Sequence, residues 1–151
     1  MSDATITNRK AFKDFDVLEA VECGVELRGC EVKSIRDGKI NLNDSFARLD
    51  KGQLFLYNAH ISPYAQASYL NVEPTRVRKL LLHKKQITRL TGQLTQKGLT
   101  LIPLKVYFNA RGFAKVELAL CRGKKLYDKR EDLKKREMNL EMRRVMKFKR
   151  R

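Results

Sequence analysis

The sequence has no tryptophan and only three prolines in 151 residues, and its three cysteines form no CxxC pair. Cys23, Cys30 and Cys121 are an odd set, and no histidine stands at ligand spacing from them. They therefore read as reduced, partly buried thiols of a cytosolic protein, with neither a disulfide frame nor a zinc site. No stretch approaches the length of a membrane span. The N-terminus, MSDATITNRKAF, lacks the apolar run of a signal peptide. Catalytic signatures are missing too: there is no Gly-rich phosphate loop, GxSxG or HExxH. The two histidines are isolated, His60 in a loop and His83 at a helix start, where capping or surface exposure explains it. Asp14, Asp16, Glu19, Glu22 and Glu26 cluster on one strand, and the even-numbered ones line a solvent face instead of a metal site. These absences point to a soluble intracellular protein that is not an enzyme, with no cofactor, no metal and no small-molecule substrate.

What the chain has is positive charge. It carries 33 Lys and Arg against 17 Asp and Glu, a net +16, with 42% apolar residues, enough for one core. The last thirty residues, Arg122–Arg151, hold 14 basic and five acidic side chains, so 14 − 5 = +9 of that charge sits in a fifth of the length. This tail, residues 122–151, is built from good helix formers. Met138, Met142, Val145 and Met146 recur at helical spacing, one narrow apolar stripe on a cationic cylinder. Such a stripe is too thin to offset the entropy of ordering the segment, so the tail is expected to be disordered alone and helical against a polyanion. A membrane-lying helix would want a broad face of Trp, Phe and Leu. This one has Phe148 alone, so nucleic acid is the favoured partner.

Along the chain, residues 1–12 are polar and aperiodic and read as a mobile leader. From Phe15 to Leu27 apolar residues take the odd positions and Asp16, Glu22, Glu26 and Arg28 even ones, a strand with one buried face. Gly24 within it predicts a bulge or sharp coil. A short helix over EVKSIRDG is stopped by Gly38. Ser45–Leu49 and Leu54–Ala59 pair across Asp50-Lys51-Gly52-Gln53 as a hairpin. His60–Val72 is loop-like. Arg76–Leu82 contains a short strand with a basic lead-in, and His83–Lys97 is the main helix, stopped by Gly98. Leu99–Phe108 and Phe113–Leu120 form a second hairpin in which Pro103 marks an edge or a bulge. The pattern predicts a small antiparallel barrel of the oligonucleotide-binding type over residues 13–121, mainly β with one main helix. Arg76, Arg78, Lys79 and Lys115 supply phosphate-binding charge beside its strands. Most of the Leu80–Leu82 triplet belongs to the core, and an exposed member could stack on an unpaired base.

Four ordered blocks carry a resemblance: Gly29–Lys39 (GCEVKSIRDGK), Asn58–Tyr64 (NAHISPY), Pro74–Leu82 (PTRVRKLLL) and Gly123–Arg130 (GKKLYDKR). Over residues 8–151 the chain resembles the SsrA-binding (small protein B) family of bacterial trans-translation. The resemblance implies a non-catalytic RNA-binding adaptor. Its barrel would grip the tRNA-like domain of transfer-messenger RNA (tmRNA). Its tail would enter the decoding centre and empty mRNA channel of the small ribosomal subunit, and delivery of the charged RNA would involve elongation factor Tu. By motif, Asn8, Glu22, Leu81 and Lys115 match the family's RNA-contacting positions, with Arg76, Arg78 and Lys79 as support. Gly123, Lys124, Lys125, Asp128, Lys129 and Arg130 match the ribosome-binding tail, with Tyr127 where many members carry His. Stacking on a ribosomal base survives that exchange, whereas a role needing a cationic ring does not. Without the resemblance, two readings stay open: a general ribosome-associated or assembly barrel protein, and an RNA-processing enzyme.

Overall fold

The structure, a computed structural model, describes residues 5–64, 72–95, 98–124 and 126–149, without the side chains of 126–129. The element around which the rest is arranged is the long strand of the alternating segment. In chain order it is the second strand, after β1 (Ile6–Thr7) and α1 (Arg9–Asp14), and is β2 (Phe15–Val25). Its Cys23 is buried, and Val21 and Val25 pack against the same core, while Asp16 and Glu22 face solvent. The period slips once. Pairing with the last strand shifts register between Val17 and Glu19, which leaves Val17 and Leu18 both exposed. The bulge therefore lies there and not at Gly24, where it was expected. Gly24 stays in register between two neighbours, and its missing side chain has another use. A Cβ on it would stand 3.2 Å from the Cβ of Leu81, so glycine is what lets that leucine cross.

The expected mobile leader is ordered from Ile6 onward. Asn8, 2% exposed, caps α1 by accepting from the Ala11 N–H at 3.1 Å, and its amide donates to the carbonyls of Leu42 (3.1 Å) and Pro103 (3.0 Å). A polar residue that composition reads as solvated is instead a buried three-way tie. Next come α2 (Gly29–Arg36), ended by Gly38 at φ 75°, and β3 (Ile40–Asn41), which pairs with β6 (His60–Ile61). The first hairpin is β4 (Phe46–Asp50) and β5 (Gln53–Tyr57), turning on Lys51 and Gly52, both at positive φ, as a two-residue hairpin turn requires. Then follow β7 (Arg78–Leu81), α3 (Lys84–Leu94) with His83 at its N-cap, and the long hairpin β8 (Leu99–Phe108) and β9 (Ala114–Gly123). The register shift between Pro103 and Lys105 is the bulge that the proline foretells. The basic tail is α4 (Leu126–Lys149), with Met138, Met142, Val145 and Met146 exposed along it.

Pairings run β8-β4-β5-β7-β2-β9 and return from β9 to β8, a closed antiparallel circuit of six strands, with β1 added to β8. Leu54, Leu56, Leu80, Leu101, Val106, Val116 and Leu118 fill it, Ile35 of α2 and Leu90 of α3 belong to the same cluster, and each contributes about 1.5–3 kcal/mol by leaving water.

The core also holds charge. Arg78 is 1% exposed and Glu31 3%. Arg78 Nε donates to Glu31 Oε2 at 2.5 Å, and its two terminal nitrogens donate to the carbonyls of Ala59 (2.7 Å) and Pro74 (2.9 Å). Arg76 donates to the other Glu31 oxygen, and the Arg28 N–H donates to it at 2.9 Å. Arg78 was expected among the phosphate contacts, but its guanidinium is fully spent inside the fold. Burial alone would raise the Glu31 carboxyl, yet the donors from Arg76, Arg28 and Arg78 outweigh it and hold the group below the usual carboxylate range. Replacement of Glu31 by alanine strands a buried guanidinium and is expected to cost about 3–5 kcal/mol in urea unfolding at pH 7. Because the folded carboxyl is the more acidic, its stabilisation is complete above roughly pH 4 and is lost as pH falls through the lower folded value. The gap between wild type and Glu31→Ala should therefore narrow on acidification.

Candidate nucleic-acid interface

Three of the residues singled out in the sequence converge on the outer face of β2. Glu22, Cys23 and Gly24 come from β2, Leu81 from the end of β7 and Leu82 from just beyond it, His83 and Gln86 from the start of α3, and Lys115 from β9. Together they line an open groove of about 390 Å³. The register explains the meeting. Gly24 pairs with Leu81 on one side and with Lys115 on the other, so a leucine and an ammonium flank the same glycine. Leu81 is 49% exposed beside a buried Leu80, which makes it the one member of the triplet offered to a partner.

Glu22 is not left to itself. The hydroxyl of Tyr107, on β8 opposite Lys115, donates to Glu22 Oε2. Burial, and then the bond to Glu22, raise the Tyr107 hydroxyl above its ordinary value, so it remains a donor at any physiological pH. Lys105 lies 5.4 Å from the centre of the Tyr107 ring and pairs with Glu117 at 3.1 Å, which anchors the tyrosine from behind. Below the groove the Cys23 thiol donates to the Val116 carbonyl at 3.4 Å, and burial pushes it up to about 12. A solvent-facing acceptor, an apolar surface and a cation within one groove are what an unpaired base and its phosphate ask for.

The remaining expected contacts fall elsewhere. Lys79 is half-buried on β7, paired with Phe55 of β5. Arg76 is half-buried and held to Glu31, with further donation to the carbonyl of Glu26 (3.5 Å). Asn8 and Arg78 are buried and unavailable. In the tail, Gly123 ends β9 in the open, Arg130 is exposed on α4, and Lys124 is turned inward. Lys125 lies outside the described residues, as do the side chains of Tyr127, Asp128 and Lys129. Tyr107, His83 and Gln86 were missed by the sequence reading. Counting back across the Asn109–Gly112 turn from Lys115 would have found Tyr107.

A larger cleft, about 510 Å³, lies away from this groove, between α1, β4, β8 and the root of the tail. Its Asn8 is already saturated and its Lys10 pairs with Asp44 at 2.6 Å, so it offers less free polar chemistry than the groove does. Among the described residues, no group of three or more His, Cys, Asp and Glu is placed to hold a metal. No described helix is long and apolar enough to cross a membrane.

Comparison with known proteins points one way. A family model described as SmpB protein matches residues 5–148. An SsrA-binding protein of Caldicellulosiruptor bescii is 59% identical over 141 residues, 93% of this chain and 89% of that one. That of Syntrophobacter fumaroxidans is 58% identical over 143 residues, 95% and 88% of the two chains. A solved chain from work on tmRNA–SmpB and its journey to the centre of the bacterial ribosome superposes with a TM-score of 0.70. It is 55% identical, and the match covers 81% of this chain and 85% of that one.

Thiol chemistry checks how the groove is floored. Cys23 and Cys121 are buried, with thiols raised by burial to about 12 and about 11, whereas Cys30 is half-buried. Ellman's reagent at pH 8 should titrate one thiol per native chain quickly, that of Cys30, and all three after denaturation.

Proposed function

The chain belongs to the SmpB protein family, and from that membership we infer that it is the tmRNA-binding adaptor of trans-translation, working on stalled ribosomes. The barrel recognises the tRNA-like domain of tmRNA through the β2 groove. The cationic tail occupies the decoding centre and the empty mRNA channel of the small subunit. Hand-over of the charged RNA by elongation factor Tu, in the cytoplasm, completes this reading, and the protein itself catalyses nothing.

The observation that carries it is the convergence of Glu22, Leu81 and Lys115 on one exposed face. In this reading Glu22, held by Tyr107, accepts from an amino group or a 2′-hydroxyl of an unstacked nucleotide. Leu81 packs against the base, and Lys115 takes the neighbouring phosphate. Lys79 adds long-range attraction from the adjoining strand. Asn8 and Arg78 keep their importance by a different route, since each holds an element in place without touching RNA.

The decisive experiment is the affinity for the tRNA-like domain against that for an elongator tRNA, at low and physiological salt. It compares the full chain with a chain ending after Lys124, so that β9 is whole. Both should bind the tRNA-like domain selectively, with the steeper salt dependence in the full chain. Glu22→Gln should reduce the discrimination by roughly 1–3 kcal/mol, and Tyr107→Phe should reproduce part of that loss. Lys115→Ala should weaken both RNAs alike and flatten the salt slope by nearly one. Equal binding of the two RNAs by every variant would favour a general ribosome-associated barrel protein. Metal-dependent RNA turnover would favour a processing enzyme.

A further inference from the structure

Lys124 matches a family position expected to bind the ribosome, yet the protein has drawn it in. Its side chain is 9% exposed, the most withdrawn described cation of the tail. The backbone N–H donates to the Asp14 carbonyl at 3.0 Å. The ammonium donates to Asp132 Oδ2 at 2.5 Å and to the Phe12 carbonyl at 3.4 Å, and it stands 4.0 Å from Asp16 Oδ1. One side chain thus joins the end of α1 and the second turn of α4 by hydrogen bonds, and the start of β2 by charge alone.

Asp132 is the other half of the puzzle. Among the described residues of α4 it is the only one in the half-buried range, the others being exposed. It is also an acid, two positions before Lys134, Lys135 and Arg136, in a segment whose purpose is to lie against RNA. The tail carries other acids as well, but Asp132 is the one whose carboxylate is tied back to the barrel end of the chain through Lys124.

We propose that Lys124 is a positioning residue that acts through Asp132: the pair fixes the direction in which α4 leaves the barrel, and Lys124 is not an RNA ligand. The inference rests on the reading of the tail given above. It makes a prediction of unusual sign. Removing Asp132 makes the tail one unit more positive, so if the tail acted by charge alone, Asp132→Ala would leave ribosome rescue unchanged or improve it. If the pair sets direction, the same variant impairs rescue.

Rescue of stalled ribosomes in a reconstituted translation reaction is measured for wild type, Lys124→Ala, Asp132→Ala and the double variant. Each protein is also titrated with the tRNA-like domain of tmRNA. Both single variants should lose rescue at least about fivefold, the double should be no worse than Lys124→Ala, and RNA affinity should stay within about twofold. Asp132→Ala at or above wild-type rescue, or losses that multiply in the double variant, would overturn the proposal. A second readout does not depend on the functional reading. Spin labels on Cys30 and Met146→Cys should give a narrow distance distribution that broadens in either single variant. An unchanged distribution defeats the proposal even in a protein that rescues ribosomes. A wild-type chain that binds no tRNA-like domain defeats the functional reading, while the distances still decide on the latch.

Discussion

The buried contact between Arg78 and Glu31 is the constraint on which the architecture depends. A guanidinium with this little exposure is tolerable only because each of its nitrogens has a partner, and those partners belong to separate parts of the chain. Glu31 fixes α2, Ala59 fixes the segment after β5, and Pro74 fixes the approach to β7. With those three held, β7 starts where it must to bring Leu80 into the core and Leu81 across Gly24. The groove is thus a consequence of an ion pair on the other side of the strand that forms it. The arrangement is rigid because apolar packing alone could slide, whereas five planar donors cannot be re-aimed singly.

The protein's cations divide into two populations. Arg78, Arg76 and Lys124 are consumed by carboxylates and carbonyls, and they set angles between elements. Lys115, the flank of the groove, and the basic residues along α4 from Arg130 remain exposed or half-exposed, and they set the attraction to a polyanion. Net charge counts both alike, so it overstates what is offered to RNA and conceals what holds the interface in shape. The same division separates the two ends of the molecule. The groove is a fixed surface on a closed sheet, while α4 meets solvent on nearly every side and owes its heading to a single withdrawn ammonium.

Local rules made much of this visible in the sequence. The alternation along Phe15–Leu27, the Lys51-Gly52 turn, the bulge at Pro103 and the helix between His83 and Gly98 all follow from periods and backbone preferences that act within a few residues. Failures came where the cause lies far along the chain. Arginine is a surface residue by habit, and nothing near Arg78 announces the carboxylate 47 positions earlier that draws it inside. Asn8 looked like part of a polar leader because its partners, Leu42 and Pro103, are distant. The displaced bulge of β2 arises from a register that β9 imposes, so Gly24 attracted attention that Leu18 required. Of the candidate groove, Glu22, Leu81 and Lys115 were legible through motif resemblance. Tyr107 needed the hairpin register to be found.

The order in which the barrel closes has a consequence for the making of the protein. β2 lies near the start of the chain, and its longest pairing is with β9, near the end of the barrel. The circuit of strands stays open until Gly123 has left the exit tunnel of the ribosome synthesising it. A nascent chain halted before β9 can still set β2 beside β7, but it lacks the longest partner of β2 and has no Lys115 to stand beside Gly24. Such unfinished copies lack part of the surface we propose for RNA. A protein concerned with interrupted translation thus completes its own groove only when the last strand of its barrel has been made.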